Sequence, residues 1–176
     1  MKDQRPDPDD LLEVVKDETH RSKRGQLKIF FGACAGVGKT FAMLQAARQL
    51  HAEGVAVGIG IVETHGRKDT QEMLEGLPIL PRTTVSGNGR PTSEFDLDGA
   101  LASGYKLLVV DELAHTNVAG SRHAKRWQDV EELLDAGIDV YTALNVQHLD
   151  SLNDIVGGRS EERRVGPECR SRWSPS

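Results

Sequence analysis

Apolar positions along the chain come in two rhythms, and they alternate. Short continuous runs at residues 27–31 (LKIFF), 55–62 (VAVGIGIV), 106–110 (KLLVV) and 138–146 (IDVYTALNV) have the length and bulk of buried strands. Between and after them the spacing changes to that of a helix. Met43, Ala46, Ala47 and Leu50 fall at i, i+3, i+4 and i+7, with Gly54 as the stop. Residues 67–77 (RKDTQEMLEGL) predict a second helix. Residues 126–137 predict a third, with Trp127, Val130 and Leu134 on one face and Gly137 ending it. Leu149, Leu152 and Val156 continue as a last helix after the fourth strand. The 55–62 strand has a bulky face (Val55, Val57, Ile59, Ile61) and a small face (Ala56, Gly58, Gly60) that would let a helix pack closely. Residues 78–93, rich in Pro, Gly and Thr, read as loop with one short strand at most.

Strands separated by helices of this length predict an α/β domain with a mostly parallel sheet covered on both faces, a three-layer arrangement. Ligands of such sheets bind beyond the carboxyl ends of the strands. The polar residues just past each apolar run are therefore the ones that matter.

The ends of the chain follow different rules. Residues 1–25 form a polar arm in which Leu11, Leu12, Val14 and Val15 make one short amphipathic stretch, with Asp9 or Asp10 as its cap. Residues 26–158 hold the domain. Residues 159–176 (RSEERRVGPECRSRWSPS) have no periodicity and resemble the translation of a sequencing-library adapter. They are set aside as a non-native tail, the alternative being a disordered basic one.

Composition narrows the class. The 176 residues are 38% apolar and 28% charged, enough to bury a core in a single soluble domain. The formal charge is −5. Without the tail's five arginines and three glutamates, residues 1–158 carry 17 basic and 24 acidic groups, a net −7. An acidic chain is a poor match for a nucleic-acid partner, which rewards a basic excess. No apolar run approaches the roughly 20 residues of a membrane helix, so the expectation is a soluble, cytosol-facing piece with no direct insertion into a membrane. Two cysteines, Cys34 and Cys169, make neither a disulfide framework nor a metal site.

The chemistry begins with ACAGVGKT. Ala33, Cys34, Ala35, Gly36, Val37, Gly38, Lys39 and Thr40 fit the P-loop pattern, with Ala33 in place of its first glycine. Glycines at 36 and 38 let backbone N–H groups turn inward into a nest for phosphate oxygens, and the helix that follows adds its positive end. Lys39 would reach the β- and γ-phosphates, and the Thr40 hydroxyl would coordinate Mg²⁺. By average residue usage the relaxed pattern arises in a chain this long on the order of once in a hundred times. A strand before it and a helix after it supply the context the motif requires. The rival reading is a glycine-rich turn used only for packing. LLVVDELAH supplies the second half of an NTPase site, with Asp111 as a water-mediated Mg²⁺ ligand and Glu112 as candidate general base. Two exposed acids at a strand end, or Asp111 capping a helix, are the alternatives. Three more polar clusters fall at strand ends. Glu63, His65, Arg67 and Lys68 could line the cleft. Arg122, His123, Lys125 and Arg126 could fold over the phosphates. Asn145 or Gln147 could sense the γ-phosphate.

KIFFGACAGVGKT, VETHGRKDT, FDLDGAL, VVDELAHTN and GSRHAKRWQDVEELLDAGIDVYTALNVQHLDSLND together resemble the N-terminal cytoplasmic domain of the KdpD family of potassium-responsive sensor histidine kinases, from about Arg24 to Val156. Ala124 stands where the family often has Pro. The resemblance implies a P-loop NTPase-like fold, truncated at its C-terminus. It also implies ATP and Mg²⁺ as ligands and a regulatory role at the front of a kinase anchored in the inner membrane. The partners it implies are the remaining domains of that kinase and, through them, a response regulator controlling potassium uptake. The phosphoacceptor histidine region and the kinase core are not in this sequence. The alternative function is a self-standing ATPase or a kinase acting on a hydroxyl, with Glu112 as base and Arg122 or Arg126 over the phosphates.

Overall fold

A computed structural model describes residues 23–32, 38–87 and 90–145. The predicted N-terminal amphipathic stretch, Ala33, Cys34, Ala35, Gly36 and Val37 of the glycine loop, Gln147, the last helix and the tail lie outside the described residues.

Strand β1 (Leu27–Gly32) leads through the glycine loop to helix α1 (Lys39–Ala52), followed by β2 (Val57–Ile61) and a short helix α2 (Lys68–Glu72). A two-stranded hairpin, β3 (Thr83–Gly87) with β4 (Arg90–Glu94), comes next, then helix α3 (Leu97–Ala102). Strand β5 (Leu107–Val110), helix α4 (Arg126–Asp135) and strand β6 (Asp139–Asn145) complete the described chain. The main sheet is parallel in every pairing and runs β1-β6-β5-β2. The last strand therefore sits between the first and the third, with Gly32 level with Asn145 and Leu107 level with Asp139.

Alternation in the strands creates two cores. On one face Leu107, Val109, Val57, Ile59 and Ala143 meet Met43, Leu44 and Ala47 of α1. On the other, Leu108, Val110, Val140 and Leu144 meet Val130, Leu133 and Leu134 of α4 and Leu97 and Ala100 of α3. Each large side chain fully buried in this way contributes about 1.5–3 kcal/mol. The three layers predicted from the sequence are thus present, and Gly54 and Gly137, the predicted helix stops, hold positive φ values of 90° and 82°.

Three local expectations change. The helix over 67–77 lasts only five residues, because beyond Glu72 the backbone tightens to i→i−3 bonds (Leu74 to Gln71, Glu75 to Glu72, Leu77 to Leu74). Arg48 then donates to the carbonyls of Met73 and Glu75, at 3.2 and 2.6 Å. Residues 78–93 form most of an antiparallel hairpin rather than a loop with one strand. The small face of β2 receives aromatic rings, not a helix. A Cβ on Gly58 would lie 2.5 Å from the Tyr105 ring, and one on Gly60 would lie 2.6 Å from the Phe95 ring.

Candidate functional site

At the carboxyl ends of the parallel strands lies a cleft of about 380 Å³, within the range of small-molecule sites. Its floor is made where α1 begins. Gly38, at φ 80°, turns the chain into the helix, and Lys39 and Thr40 are its first two residues. The Thr40 hydroxyl donates to Oδ2 of Asp111 across 3.3 Å, joining the start of α1 to the end of β5 over the intervening strand β6. Lys39 and Thr40 line the cleft with Asp111, Glu112 and His115 after β5, Glu63, His65 and Arg67 after β2, and Asn145 at the end of β6.

Asp111 is only 5% exposed. Burial pushes its carboxyl above the ordinary 3.8, and the neighbouring Glu112 charge adds to the rise. Backbone N–H groups of Glu112 (2.8 Å to Oδ1) and Glu63, together with the Thr40 hydroxyl, oppose it. An acid under desolvation pressure beside a hydroxyl, on the floor of a cleft, is an oxygen-donor pair of the kind a hard divalent cation takes. Asn145 contributes a second signal, since its buried Oδ1 has no hydrogen-bond partner among the described residues. The donor set therefore fits a cation with phosphate oxygens. Glu112 and His65 are the only non-glycine positive-φ positions among the described residues, at 57° and 49°, and both face this cleft. Backbone held there stores roughly 1–3 kcal/mol of strain, which concentrates at functional sites.

The predicted site residues divide clearly. Gly38, Lys39, Thr40, Asp111 and Glu112 come together, with Glu63, His65, Arg67 and Asn145 around them. Lys68 does not line the cleft. Nor do Arg122, His123, Lys125 and Arg126, which were expected to fold over the phosphates. The segment carrying them is closed by a Thr116/Lys125 bridge and drawn onto the outer helices. Arg122 pairs with Asp98 of α3 and, at 2.6 Å, with Glu132 of α4, while His123 lies 2.7 Å from Glu132. Lys125 donates to Thr116 at 2.7 Å. Arg126 is buried against Glu94, 5.5 Å from the Phe95 ring, with Asp129 3.6 Å away. Burial draws its pKa down, against the pull of Glu94 and Asp129. Sequence reasoning missed this buried Arg126–Glu94 pair, and it missed His115 and Thr70 in the cleft wall. The DELAH run itself signalled His115, three residues past Glu112 and so within one turn of it.

Comparison with known proteins supplies the family. The family model for the osmosensitive K⁺ channel His kinase sensor domain, KdpD, matches residues 23–165. The chain is 62% identical over 154 residues to the Sensor protein KdpD of Escherichia coli, covering 88% of this chain and 17% of that protein. It is 53% identical over 153 residues to the Sensor protein KdpD of Clostridium acetobutylicum, covering 87% and 17%. With the protein of that name from Mycobacterium tuberculosis it shares 49% over 135 residues, covering 77% and 16%. The chain thus spans about a sixth of the length of these relatives. With matches of this extent across the strands, the cleft and α4, the chain belongs to the KdpD sensor-domain family.

Proposed function

We propose that the cleft binds ATP with Mg²⁺ and that the domain acts as a regulatory nucleotide-binding module of a KdpD-type sensor histidine kinase. The carrying observation is the 3.3 Å contact between Thr40 and Asp111, which brings together a hydroxyl and a carboxylate that are 71 residues apart at the foot of a cleft. Thr40 and Asp111 would hold the cation, whose charge would neutralise phosphate oxygens. Lys39 lies where the triphosphate end would rest, and the backbone of residues 33–40 would supply the anion nest. Asn145, whose Oδ1 has no partner among the described residues, would respond to the terminal phosphate or its water. In the longer protein, nucleotide occupancy of this cleft would bias a membrane-anchored kinase acting on the response regulator that controls potassium uptake.

A second reading, hydrolysis or transfer to a hydroxyl, is favoured by one observation. Glu112 is held in a strained backbone conformation with its side chain 45% exposed at the cleft. Arg67, not Arg122 or Arg126, is the arginine that lines the cleft in such a mechanism. Calorimetry with Mg²⁺ and ATP, with ADP production followed in the same samples, separates the readings. Lys39→Ala is expected to weaken binding about a hundredfold, as for the loss of contacts worth about 2–3 kcal/mol. Equal affinity in wild type and Lys39→Ala would reject the site. Turnover that collapses in Glu112→Gln would move the second reading to the front.

A further inference from the structure

We propose that His115 is a positioning residue that ties the cleft carboxylate Glu112 to the hairpin carboxylate Glu94, so that changes at the cleft are transmitted to the β3–β4 hairpin. The imidazole stands between the two acids. Nδ1 lies 3.9 Å from Glu112 Oε2, and Nε2 lies 3.3 Å from Glu94 Oε2. Its backbone is fixed from both sides: the His115 N–H donates to the Glu112 carbonyl at 2.9 Å, and its own carbonyl accepts from the Arg126 N–H at 3.0 Å.

The two ends of the bridge differ in freedom. Glu94, the last residue of β4, has a side chain only 5% exposed. Its Oε1 accepts from the Arg126 guanidinium and from the Phe95 N–H at 3.1 Å, and its Oε2 accepts from the Val118 N–H at 3.2 Å. Arg126 is anchored in turn on Asn117, 3.3 Å from its Nε, and Asn117 donates to Asp129 at 2.7 Å. That end is a closed polar network in low dielectric. Glu112 is half-exposed and faces the cleft. Glu94 is held in place by Arg126, Phe95 and Val118, so movement or loss of the Glu112 carboxylate reaches it through the imidazole as a change in the strength of those bonds rather than as a displacement. The fixed acid is level with Thr83, the first residue of β3, so the whole hairpin is its lever.

The bridge itself does not depend on the nucleotide reading; only the second arm of its test does. The first arm uses the 176-residue chain without ligand and reads hydrogen exchange at the Val118 amide, which bonds to Glu94. Glu112→Gln is expected to speed that exchange about threefold when His115 is present and to leave it unchanged in His115→Ala, the non-additivity of groups in contact. His115→Gln keeps a donor toward Glu94 and gives up Glu112, so it is expected to behave as His115→Ala; it also serves if the alanine variant fails to fold. An effect of Glu112→Gln that is the same with and without His115, or no effect in either, overturns the proposal. In the second arm, Mg²⁺ with ATP is expected to slow Val118 exchange about threefold in wild type but not in a nucleotide-bound His115→Gln. The same slowing in both would overturn the proposal as well. If wild type binds no ATP, the reading of the cleft fails, and the ligand-free cycle alone decides the role of His115.

Discussion

The Arg126–Glu94 pair gives a single side chain strong leverage on stability. Both members are almost wholly buried, and Glu94 is encircled by N–H donors. Burial alone would push the Glu94 carboxyl up, but the Phe95 N–H, the Arg126 charge, the Val118 N–H and His115 together hold it below 4.5. A carboxyl lowered in the folded state contributes stability that is complete above its unfolded value and is lost as pH falls through the folded one. Asp129 and Asp111 are raised by burial, so their ionisation works in the opposite sense, removing stability as pH climbs above 3.8. Glu94→Gln leaves Arg126 buried with less compensating charge and is expected to destabilise the chain by about 3 kcal/mol in chemical denaturation at neutral pH. The same variant should lose less stability than wild type on acidification below about pH 4.5, because the group responsible for that part of the acid limb is gone. An unchanged acid limb would assign that limb to other carboxylates.

At the level of elements, the sequence was most legible where one period ran unbroken. The four main strands and helices α1 and α4 announced themselves by apolar runs and i, i+3, i+4 spacing, and all are present within two residues or so of the expected bounds. The hairpin was hidden because Thr, Ser and Pro fill β3 and β4 and neither strand carries an apolar run. Asn88–Gly89 between two β-prone segments was the available signal. Helix α3 was missed for its shortness, although Asp96 caps it by accepting from the Gly99 N–H at 3.0 Å. In the site, residues adjacent in sequence to a strand end were found, whereas the fate of Arg122 to Arg126 depended on where the loop lies, which spacing does not encode. The aromatic packing on β2 gives this scale its prediction. Gly60→Ala drives a methyl into the Phe95 ring and is expected to cost about 1–3 kcal/mol, with part of the loss recovered in Gly60→Ala combined with Phe95→Leu. Thermal melts of Gly60→Ala, Phe95→Leu and the double variant check it. Additive losses would mean that the ring is not the obstacle.

Across the whole molecule, the cleft is a joint product of the ends of β2, β5 and β6 and the start of α1, and no two neighbouring elements make it alone. A ligand bound in this cleft would therefore be coupled to global folding. Mg²⁺ with ATP at about one hundred times its dissociation constant is expected to stabilise the chain by about 2.7 kcal/mol, read as a rise in melting temperature that Lys39→Ala loses at the same concentration. The sheet order carries a further consequence. Among the described residues β1 pairs only with β6, and β6 is the last strand to be made. A nascent chain that has emerged only as far as Gly137 carries the glycine loop and Asp111 but has no strand to bridge them. Assembly of the cleft should therefore wait on the segment Asp139–Asn145, because only its entry between β1 and β5 brings the start of α1 and Asp111 to opposite sides of one strand.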